Sequence, residues 1–573
     1  MKTFKIISAL VAIGFAATAC QQPIEVKPTT TAIGLSSVSA TFIDGPYAND
    51  PTAVFSTTVT SLDEDIVIVV PRFYPEESNQ SVTDITRMKV TASMDYNCFL
   101  KPALTLLDLT KSNSFVYTDG RGDKHDIVIR GEIRALSKKQ LVAFAIVTPS
   151  LTTLIDESKH TVKISITDDT DLTACEVDYT LSPHATCNLD AMTTVDFTKV
   201  NKISVTADDS SVCDYDIIVS NESPVKIPYG FAVDSQRKLW SVDMVGLGIE
   251  RLAANNTSLA QIGNYVVVSA GNGDTPIYLN KATGSKVGTI AIGEAQAGFI
   301  KNDDAGNLLI CNHAAGTFNI WRTKSVTTAP TLLLSYNNES GFPLGGKLSV
   351  QGDIDGKALI VTVAEGTSAS ATNFMVYWTV TDGVVSEANV VTLSGFVGVN
   401  WATGNWGLAP ESIPAITPMG SDLTDGFLFS VYDEDVLYHI SGDGTFTMTP
   451  MLTAQADGGN YNNNTIDVKW FNKARYAVLH CTGFFPQWGG VPIIHCYDLT
   501  NMAGISGTVD NTSAKVFTIS ADTFYTDGNG VAAASDSILV PSSDGYYLTL
   551  YLIDHNNRIV SAYQVDCIDN SGN

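Results

Sequence analysis

The chain has 573 residues and a formal net charge of -26, from 60 Asp and Glu against 34 Lys and Arg. A chain of this length is too large for one hydrophobic core, so several domains are expected. The acidic residues are spread along the sequence, which predicts a soluble acidic surface and argues against nucleic acid as a partner, because phosphate binding requires a basic patch. Thr, Val, Ile and Tyr recur between Gly- and Asn-rich turns without helical periodicity, so the predicted fold class is all-β.

The first twenty residues have the order of a secretory signal. Lys2 and Lys5 precede an apolar run over residues 6–17, and small residues then lead to Cys20. The apolar run is too short to span a bilayer, so we interpret it as an export signal.

The end of this signal resembles a bacterial lipobox, with Ala17 where many lipoboxes carry Leu. The resemblance implies a signal peptide over residues 1–19, lipidation of Cys20 and a lipidated tether over residues 20–30. It also implies a Bacteroidetes-type envelope protein that is held to the membrane, at the outer membrane, by its lipid anchor. Whether the protein is exposed on the cell surface stays open. An ordinary signal peptide cut after Ala19 is the alternative.

Two β-sandwich modules are predicted next, because a motif recurs at a spacing of about 90 residues. Leu-Asp-Leu-Thr-Lys at residues 107–111 recurs as Val-Asp-Phe-Thr-Lys at residues 195–199. The predicted boundaries are 31–134 and 135–222. Both modules resemble the immunoglobulin-like or PKD-like domains of unknown function that precede propellers in Bacteroidetes lipoproteins. The resemblance implies a spacer role without catalytic residues.

Residues 223–573 are predicted to form a β-propeller of about seven blades, because one theme of apolar strand, turn and aromatic-bearing strand repeats. Residues 298–312 resemble a blade of NHL-type or quinoprotein-like propellers. The predicted outer strands are marked by Ile249-Glu250-Arg251, Ile320-Trp321 and five tyrosines, namely Tyr278, Tyr377, Tyr438, Tyr497 and Tyr551. The markers are far apart in the later blades, which predicts long inserted loops there.

No familiar catalytic, metal-binding or cofactor-binding motif stands in the sequence. Cys481 and Cys496 flank one predicted hairpin, so they form either a disulfide or two buried free thiols. Zinc binding by these cysteines with His480 and His495 is rejected, because adjacent residues on a strand point to opposite faces. We therefore predict no metal, no cofactor and no catalytic residue.

Large aromatic residues in two glycine-rich loops are the best sequence signal for a ligand site. Flat rings stack on the apolar face of a sugar, and the same geometry serves peptide partners. The alternative is that these rings fill the seams between blades. The candidate ligand-binding residues are Trp401, Trp406, Phe484, Phe485 and Trp488.

The sequence thus predicts a non-enzymatic, lipid-anchored binding protein of the cell envelope. Its expected partners are the membrane, a glycan and the outer-membrane proteins of a Sus-type uptake system, with the propeller displayed on a two-domain stalk. Two alternatives stay open, a propeller enzyme that acts on glycans and an adhesive or structural protein that recognises another protein.

Overall fold

The computed structural model describes residues 34–569 with internal gaps. The gaps are at 46, 49, 77–80, 233, 251, 253–255, 365–373, 394–413, 431–434, 454–460, 484–492, 521–534 and 555–557. The described part is almost entirely strands and turns, so the all-β prediction is confirmed. No helix within it has the length and apolar character needed to cross a membrane. The chain divides into two compact units, Met1–Arg72 with Thr83–Arg134, and Phe73–Val82 with Ala135–Asn573.

The first unit is a sandwich of two four-stranded sheets. Its strands run in the order β2-β1-β4-β6 in one sheet and β3-β8-β7-β5 in the other. Inward-facing residues alternate with outward-facing ones, as in Ile66, Ile68 and Val70, and the buried residues of both sheets form one core. The strands are β1 (Leu35–Phe42), β2 (Val54–Thr58), β3 (Ile66–Pro71), β4 (Met88–Met94), β5 (Phe99–Lys101), β6 (Leu106–Leu107), β7 (Asn113–Thr118) and β8 (Lys124–Arg134).

The second unit begins with another eight-stranded sandwich, which we call module 2. The strands are β9 (Leu141–Thr148), β10 (Thr153–Asp156), β11 (Thr161–Ser165), β12 (Cys175–Leu181), β13 (Thr186–Cys187), β14 (Thr194–Val195), β15 (Lys202–Thr206) and β16 (Val212–Ser220). Its sheets have the orders β10-β11-β16-β15-β13 and β14-β12-β9. This is the topology of the first sandwich, except that β10 joins the other sheet. Both sandwiches also contain one parallel pair, β3 with β8 and β11 with β16.

The sequence repeat corresponds to one turn that both sandwiches build in the same way. Asp108 accepts hydrogen bonds from the backbone N–H and the hydroxyl of Thr110, and Lys111 Nζ lies 2.6 Å from the same carboxylate. Asp196 makes the same contacts with Thr198 and Lys199. The residue between the Asp and the Thr is apolar in both copies, and it is buried in the core of its own sandwich. The motif therefore holds one loop against each sandwich.

Among the described residues, the rest of the second unit forms six sheets. Its strands are β17 (Arg237–Asp243), β18 (Ser258–Ile262), β19 (Tyr265–Ser269), β20 (Ile277–Asn280), β21 (Lys286–Thr289), β22 (Ile300–Asn302), β23 (Leu308–Cys311), β24 (Thr317–Thr323), β25 (Thr331–Asn337), β26 (Leu348–Gly352), β27 (Ala358–Val363), β28 (Phe374–Thr381), β29 (Val384–Val385), β30 (Asn389–Thr392), β31 (Ala415–Pro418), β32 (Phe427–Ser430), β33 (Asp435–Ile440), β34 (Met448–Thr453), β35 (Tyr461–Phe471), β36 (Ala474–Gly483), β37 (Ile493–Asp498), β38 (Lys515–Ser520), β39 (Ser535–Pro541), β40 (Tyr547–Asp554) and β41 (Ile559–Asp566). Two short 3-10 helices, Met244–Leu247 and Leu423–Asp425, lie in the connections.

These sheets close into a ring, which we call the six-sheet ring. The innermost strands β18, β22, β26, β31, β35 and β39 contact one another in that order, and β39 returns to β18. The last sheet has the order β17-β41-β40-β39, so its outermost strand comes from the start of the ring and the other three from its end. Antiparallel sheets arranged in this way around an axis have the strand connectivity of a β-propeller.

The ring has six sheets in the described part of the chain, so the count of about seven blades is wrong. The six aromatic markers are distributed one to each sheet. In five sheets the marker lies on the third strand from the axis, and in the last sheet it lies on β40. The seventh marker fails because Ile249 and Glu250 lie outside any strand, after the first 3-10 helix. The first part of the ring does contribute one outer strand, β17, but this strand pairs with β41 and so belongs to the last sheet.

Module 2 packs directly on the ring. Val142 and Ala143 contact an apolar cluster that includes Leu239 and Ile553 of the ring. The hydroxyl of Tyr547 donates a hydrogen bond of 2.9 Å to the carbonyl of Thr153. The contact is therefore partly apolar and partly hydrogen-bonded, and it removes ring surface from solvent.

Candidate functional site

Buried polar side chains on the innermost strands, or directly before them, surround the axis of the ring. Ordinary core positions on such strands are apolar, because burying a charge without a partner costs several kcal/mol. Here the buried set includes three lysines and two aspartates, each no more than 9% exposed. The residues are Lys301, Lys347, Lys469, Asp467 and Asp536.

A hydrogen-bonded network lies at one end of the axis. Lys469 Nζ donates to Gln351 Oε1 at 2.9 Å and also contacts the carboxylate of Asp304. Gln351 Nε2 donates in turn to the carbonyl of Val468 at 2.8 Å. The ammonium and the amide are thus both hydrogen-bonded, so this network has a structural role.

The two buried aspartates are held by the backbone and by Lys301. Asp467 accepts a hydrogen bond of 2.8 Å from the N–H of Leu539, and Asp536 accepts one of 2.7 Å from the N–H of Leu259. Lys301 Nζ lies 3.9 Å from Asp536 Oδ1. Burial raises the pKa of Asp467, while the positive charges of Lys301 and Lys469 act in the opposite direction.

Lys347 differs from the other two lysines. It precedes β26, is 5% exposed, and its ammonium nitrogen has no hydrogen-bond partner among the described residues. The nitrogen lies 5.4 Å from the centre of the Phe299 ring, which is a weak cation-π contact. Burial lowers the pKa of Lys347 to about 8, with Asp536 favouring the charged form and Lys301 opposing it.

A cavity lies where these groups meet. It is lined by Lys301, Lys347, Asp536, Phe299 and Thr465. Ser349 also lines it, and its hydroxyl shares a hydrogen bond of 2.8 Å with the hydroxyl of Thr417. The cavity therefore offers two ammonium groups, hydroxyls and one carboxylate, a set that suits an anionic or hydroxyl-rich group.

The cavity is at the face of the ring where the innermost strands begin, which we call the N-terminal face. Phe299 and Lys347 directly precede β22 and β26, and Asp536 is the second residue of β39. The hydrogen-bonded Lys469 lies near the end of β35, so its network is at the opposite end of the axis. The axis thus has a hydrogen-bonded lysine at one end and, at the other, a lysine without a hydrogen-bond partner among the described residues.

The aromatic candidates Trp401, Trp406, Phe484, Phe485 and Trp488 lie outside the described residues. The strands that flank them are described. The segment between β30 and β31 leads into an innermost strand, and the segment between β36 and β37 joins the second strand of a sheet to the third. Because neighbouring strands in each sheet are antiparallel, both segments start and finish at the N-terminal face.

Of the two alternatives for Cys481 and Cys496, the structure excludes the disulfide and shows two free thiols. Cys481 is paired with Ile493, whereas Cys496 is paired with Val478, three positions away along β36. An odd offset places the two side chains on opposite faces of the sheet, and each is buried in a different apolar cluster. Both thiols are free, and burial raises the pKa of each.

His480 is part of the packing between two sheets. Its Nε2 lies 3.2 Å from Oδ2 of Asp554, and both side chains are fully buried. Among the described residues no group of three or more His, Cys, Asp or Glu is placed to hold a metal ion.

The axial lysines were missed by the sequence analysis, although a signal for them exists. Lys301 and Lys469 each follow directly on apolar residues of a strand, in Phe299-Ile300-Lys301 and Ile466-Asp467-Val468-Lys469. Charged residues among the apolar residues of a strand indicate a special environment. Without the ring closure, however, the sequence gives no reason for distant strands to bring these charges together.

Three family models match successive parts of the chain. A domain of unknown function, DUF8500, matches residues 238–566, which is more than half of the sequence and covers most of the six-sheet ring. The chain belongs to the DUF8500 family. A second domain of unknown function, DUF5018, matches residues 15–131, and the model described as "SGBP, N-terminal" matches residues 141–219, within module 2.

Solved structures similar to this DUF8500 chain are remote. A DUF4623 family protein from Bacteroides eggerthii is 15% identical with a TM-score of 0.42, over 75% of this chain and 98% of that one. Regucalcin, a calcium-binding protein from Agrobacterium tumefaciens, is 12% identical with a TM-score of 0.32, over 60% and 95%. A gluconolactonase from Xanthomonas campestris is 9% identical with a TM-score of 0.33, over 60% and 94%. No curated protein matches the sequence.

Proposed function

We propose that this protein is a non-enzymatic, lipid-anchored glycan-binding protein of the Bacteroidetes cell envelope, accessory to a Sus-type uptake system. The observation that carries the proposal is the match of module 2 to the N-terminal model of SGBP, a name that refers to Sus glycan-binding proteins. Residues 141–219 cover the whole sandwich from β9 almost to the end of β16.

In this proposal the chain has three functional parts. The sandwiches, at residues 31–134 and 135–222, serve as a stalk, and residues 223–573 bind the ligand. Lipidation of Cys20, after removal of residues 1–19, attaches the stalk to the outer membrane. The packing of module 2 on the ring supports this division, because it gives the ligand-binding part a fixed attachment to one of the sandwiches.

The proposed binding surface is the N-terminal face of the ring. Trp401, Trp406 and Trp488, with Phe484 and Phe485, would supply flat rings that stack on sugars. Two features of the described residues support this choice, since the flanking strands end at that face and the cavity with Lys347 is lined by residues at the start of the innermost strands. Aromatic stacking together with charged and hydroxyl groups is the usual composition of a carbohydrate site.

A glycan panel tests the proposal against its nearest rival, a propeller enzyme that acts on glycans. The soluble chain from Gln21 onward is run through gels containing single polysaccharides, and the same mixtures are assayed for new reducing ends. We expect retention on at least one glycan without release of reducing ends. Release of reducing ends at a rate proportional to protein concentration would establish an enzyme, and retention on no glycan would favour the protein-recognising alternative.

The anchor is tested separately. Replacing Cys20 with Ala should move the protein from the membrane fraction to the soluble fraction, because a buried acyl chain contributes about 0.8 kcal/mol per CH₂. Cys98→Ala, which removes a free thiol of the first sandwich, is the control and should leave the protein in the membrane fraction. Membrane association of Cys20→Ala that survives a carbonate wash would contradict lipid anchoring.

A further inference from the structure

We propose that a second glycan-binding surface lies on the side of the ring opposite the N-terminal face, and that its ligands are neutral oligosaccharides. We call this side, where the innermost strands end, the C-terminal face. The surface is built on two exposed aromatic residues, Tyr229 and Trp470. The inference rests on the proposed function for the class of ligand, and its experiment separates the two.

Trp470 differs from the other tryptophans in the described part of the chain. Trp240, Trp321 and Trp378 are at most 8% exposed, whereas Trp470 is 49% exposed. It is the last residue but one of the innermost strand β35, so it lies at the C-terminal face. Tryptophan combines a large flat apolar area with a polar edge, so an exposed one is suited to contact a ligand.

The ring of Trp470 is held from one side by an arginine. The guanidinium carbon of Arg475, the residue opposite on β36, lies 4.7 Å from the centre of the Trp470 ring. Arg475 Nη2 donates a hydrogen bond of 2.7 Å to Oδ1 of Asp425, which fixes the guanidinium in turn. The indole is thus positioned before any ligand arrives, so stacking on it costs little side-chain entropy.

Tyr229 is held at the same end of this sheet, in the segment that joins module 2 to β17. Asn472, in the turn after β35, donates a hydrogen bond of 2.7 Å to the carbonyl of Gly230. The hydroxyl of Tyr229 donates to Oδ2 of Asp498 at 2.5 Å and lies 2.9 Å from the hydroxyl of Thr500. The phenol is therefore anchored by its polar end, and the residue is 45% exposed.

Polar groups lie between the two aromatic residues. The backbone N–H of Arg475 donates a hydrogen bond of 2.7 Å to the hydroxyl of Thr500, the same hydroxyl that Tyr229 contacts. Thr500 follows β37 and Trp470 lies on β35, so the two rings are on the order of 10 Å apart, twice the spacing of neighbouring strands. A run of sugar units presents the same alternation of apolar faces and hydroxyl groups.

The surroundings of the rings favour a neutral glycan over the other possible occupants. The core of a protein interface is depleted in charged residues, whereas here a guanidinium packs on the indole and is paired with Asp425. The net charge of -26 disfavours a polyanionic glycan by long-range repulsion. Discrete rings with hydrogen-bonding groups between them are what a neutral sugar chain requires.

The test uses the full mature chain, from Gln21 onward, and isothermal titration calorimetry with cellohexaose, xylohexaose, mannohexaose and maltohexaose. Trp470→Phe keeps a flat ring, Trp470→Leu keeps apolar bulk without one, and Tyr229→Ala removes the second ring. Leu332→Ala is the control, because Leu332 is 56% exposed on β25 of another sheet. Thermal melting establishes that each variant is folded.

We expect the wild-type chain to bind at least one of these probes. Trp470→Leu and Tyr229→Ala should each lose a binding site or about tenfold in affinity. Trp470→Phe should stay within about threefold of the wild-type affinity, because it keeps a stacking ring, and Leu332→Ala should bind like wild type. Equal losses in Trp470→Phe and Trp470→Leu would contradict stacking.

Three further results would overturn the inference. Equal binding by wild type and all variants would place the sugar elsewhere and leave the proposed function intact. Retention of the chain on an acidic glycan, without binding of any neutral probe, would do the same, whereas retention on no glycan would contradict both proposals. Self-association that Trp470→Leu abolishes, in place of sugar binding, would identify the surface as a protein contact.

Discussion

Lys301 Nζ lies 3.9 Å from Oδ1 of Asp536 in the interior of the six-sheet ring. The neighbouring Lys347 has no such ion pair, and its ammonium has no hydrogen-bond partner among the described residues. Lys301→Met should therefore lower the free energy of unfolding, by about 3 kcal/mol, because it leaves the buried carboxylate of Asp536 without its closest cation. The measurement is chemical denaturation at pH 7. Unchanged stability would show that the pair contributes nothing.

Lys347→Met should have the opposite effect. A lysine whose pKa falls from 10.5 to about 8 on folding costs roughly 3 kcal/mol at neutral pH, so removing its charge should raise the free energy of unfolding by up to that amount. The side chain is 5% exposed, so solvent screening reduces this cost little. Denaturation in a buffer without small carboxylates measures the change. A destabilised variant would mean that the ammonium has a stabilising partner.

The same lysine predicts a pH dependence. Below pH 8 both the folded and the unfolded protein hold the Lys347 proton, and the full cost of burying the charge is present. Between pH 8 and 10.5 the folded protein loses this proton first, so the contribution of Lys347 to stability becomes less unfavourable as the pH rises. The stability difference between Lys347→Met and wild type should accordingly shrink from pH 7.5 to pH 10. A difference that stays constant over this range would contradict burial of a charged lysine.

The contact between module 2 and the ring should make them unfold together. Val142→Asp places a carboxylate against the apolar cluster at this contact, which costs several kcal/mol unless the surfaces separate. We expect calorimetry to show the unfolding of module 2 separated from that of the ring. Val212→Asp is the control, because Val212 lies in the same module and is 52% exposed. Identical thermograms for the two variants would mean that the contact is not cooperative.

The free thiols give a chemical test of the corrected disulfide. Cys481 and Cys496 should resist alkylation in the native protein, because both are fully buried and burial raises the pKa of each thiol. After denaturation without reductant, both should be alkylated completely, as read by mass spectrometry of peptides. A peptide pair that is released only by reductant would contradict the opposite-face geometry.

The sequence could predict those features that depend on local patterns. The Asp108 and Asp196 turns use the side chains of residues two and three positions later, so a short motif was enough to identify the repeat. The markers from Tyr278 to Tyr551 likewise identified one strand in each of the six sheets. The all-β prediction rests on the same kind of signal.

The features that failed or were missed depend on contacts between distant residues. The seventh blade was an error because β17 pairs with β41, more than 300 residues later in the chain, and no local pattern reveals that closure. The disulfide alternative for Cys481 and Cys496 could not be judged from the sequence, because the length of the loop between two strands does not fix which residues are opposite each other. Lys347 and Asp536 meet only when the ring has closed.

We propose that the N-terminal face of the ring binds a glycan through aromatic residues. The most direct measurement is affinity and melting temperature on the same three variants, Trp401→Ala, Trp406→Ala and Trp488→Ala. We predict that each weakens glycan binding by about 1–3 kcal/mol, as loss of an aromatic anchor does, while the melting temperature is nearly unchanged. Loss of stability by about 3–5 kcal/mol in all three variants, the cost of truncating a large buried ring, would contradict the claim and identify the rings as packing between sheets.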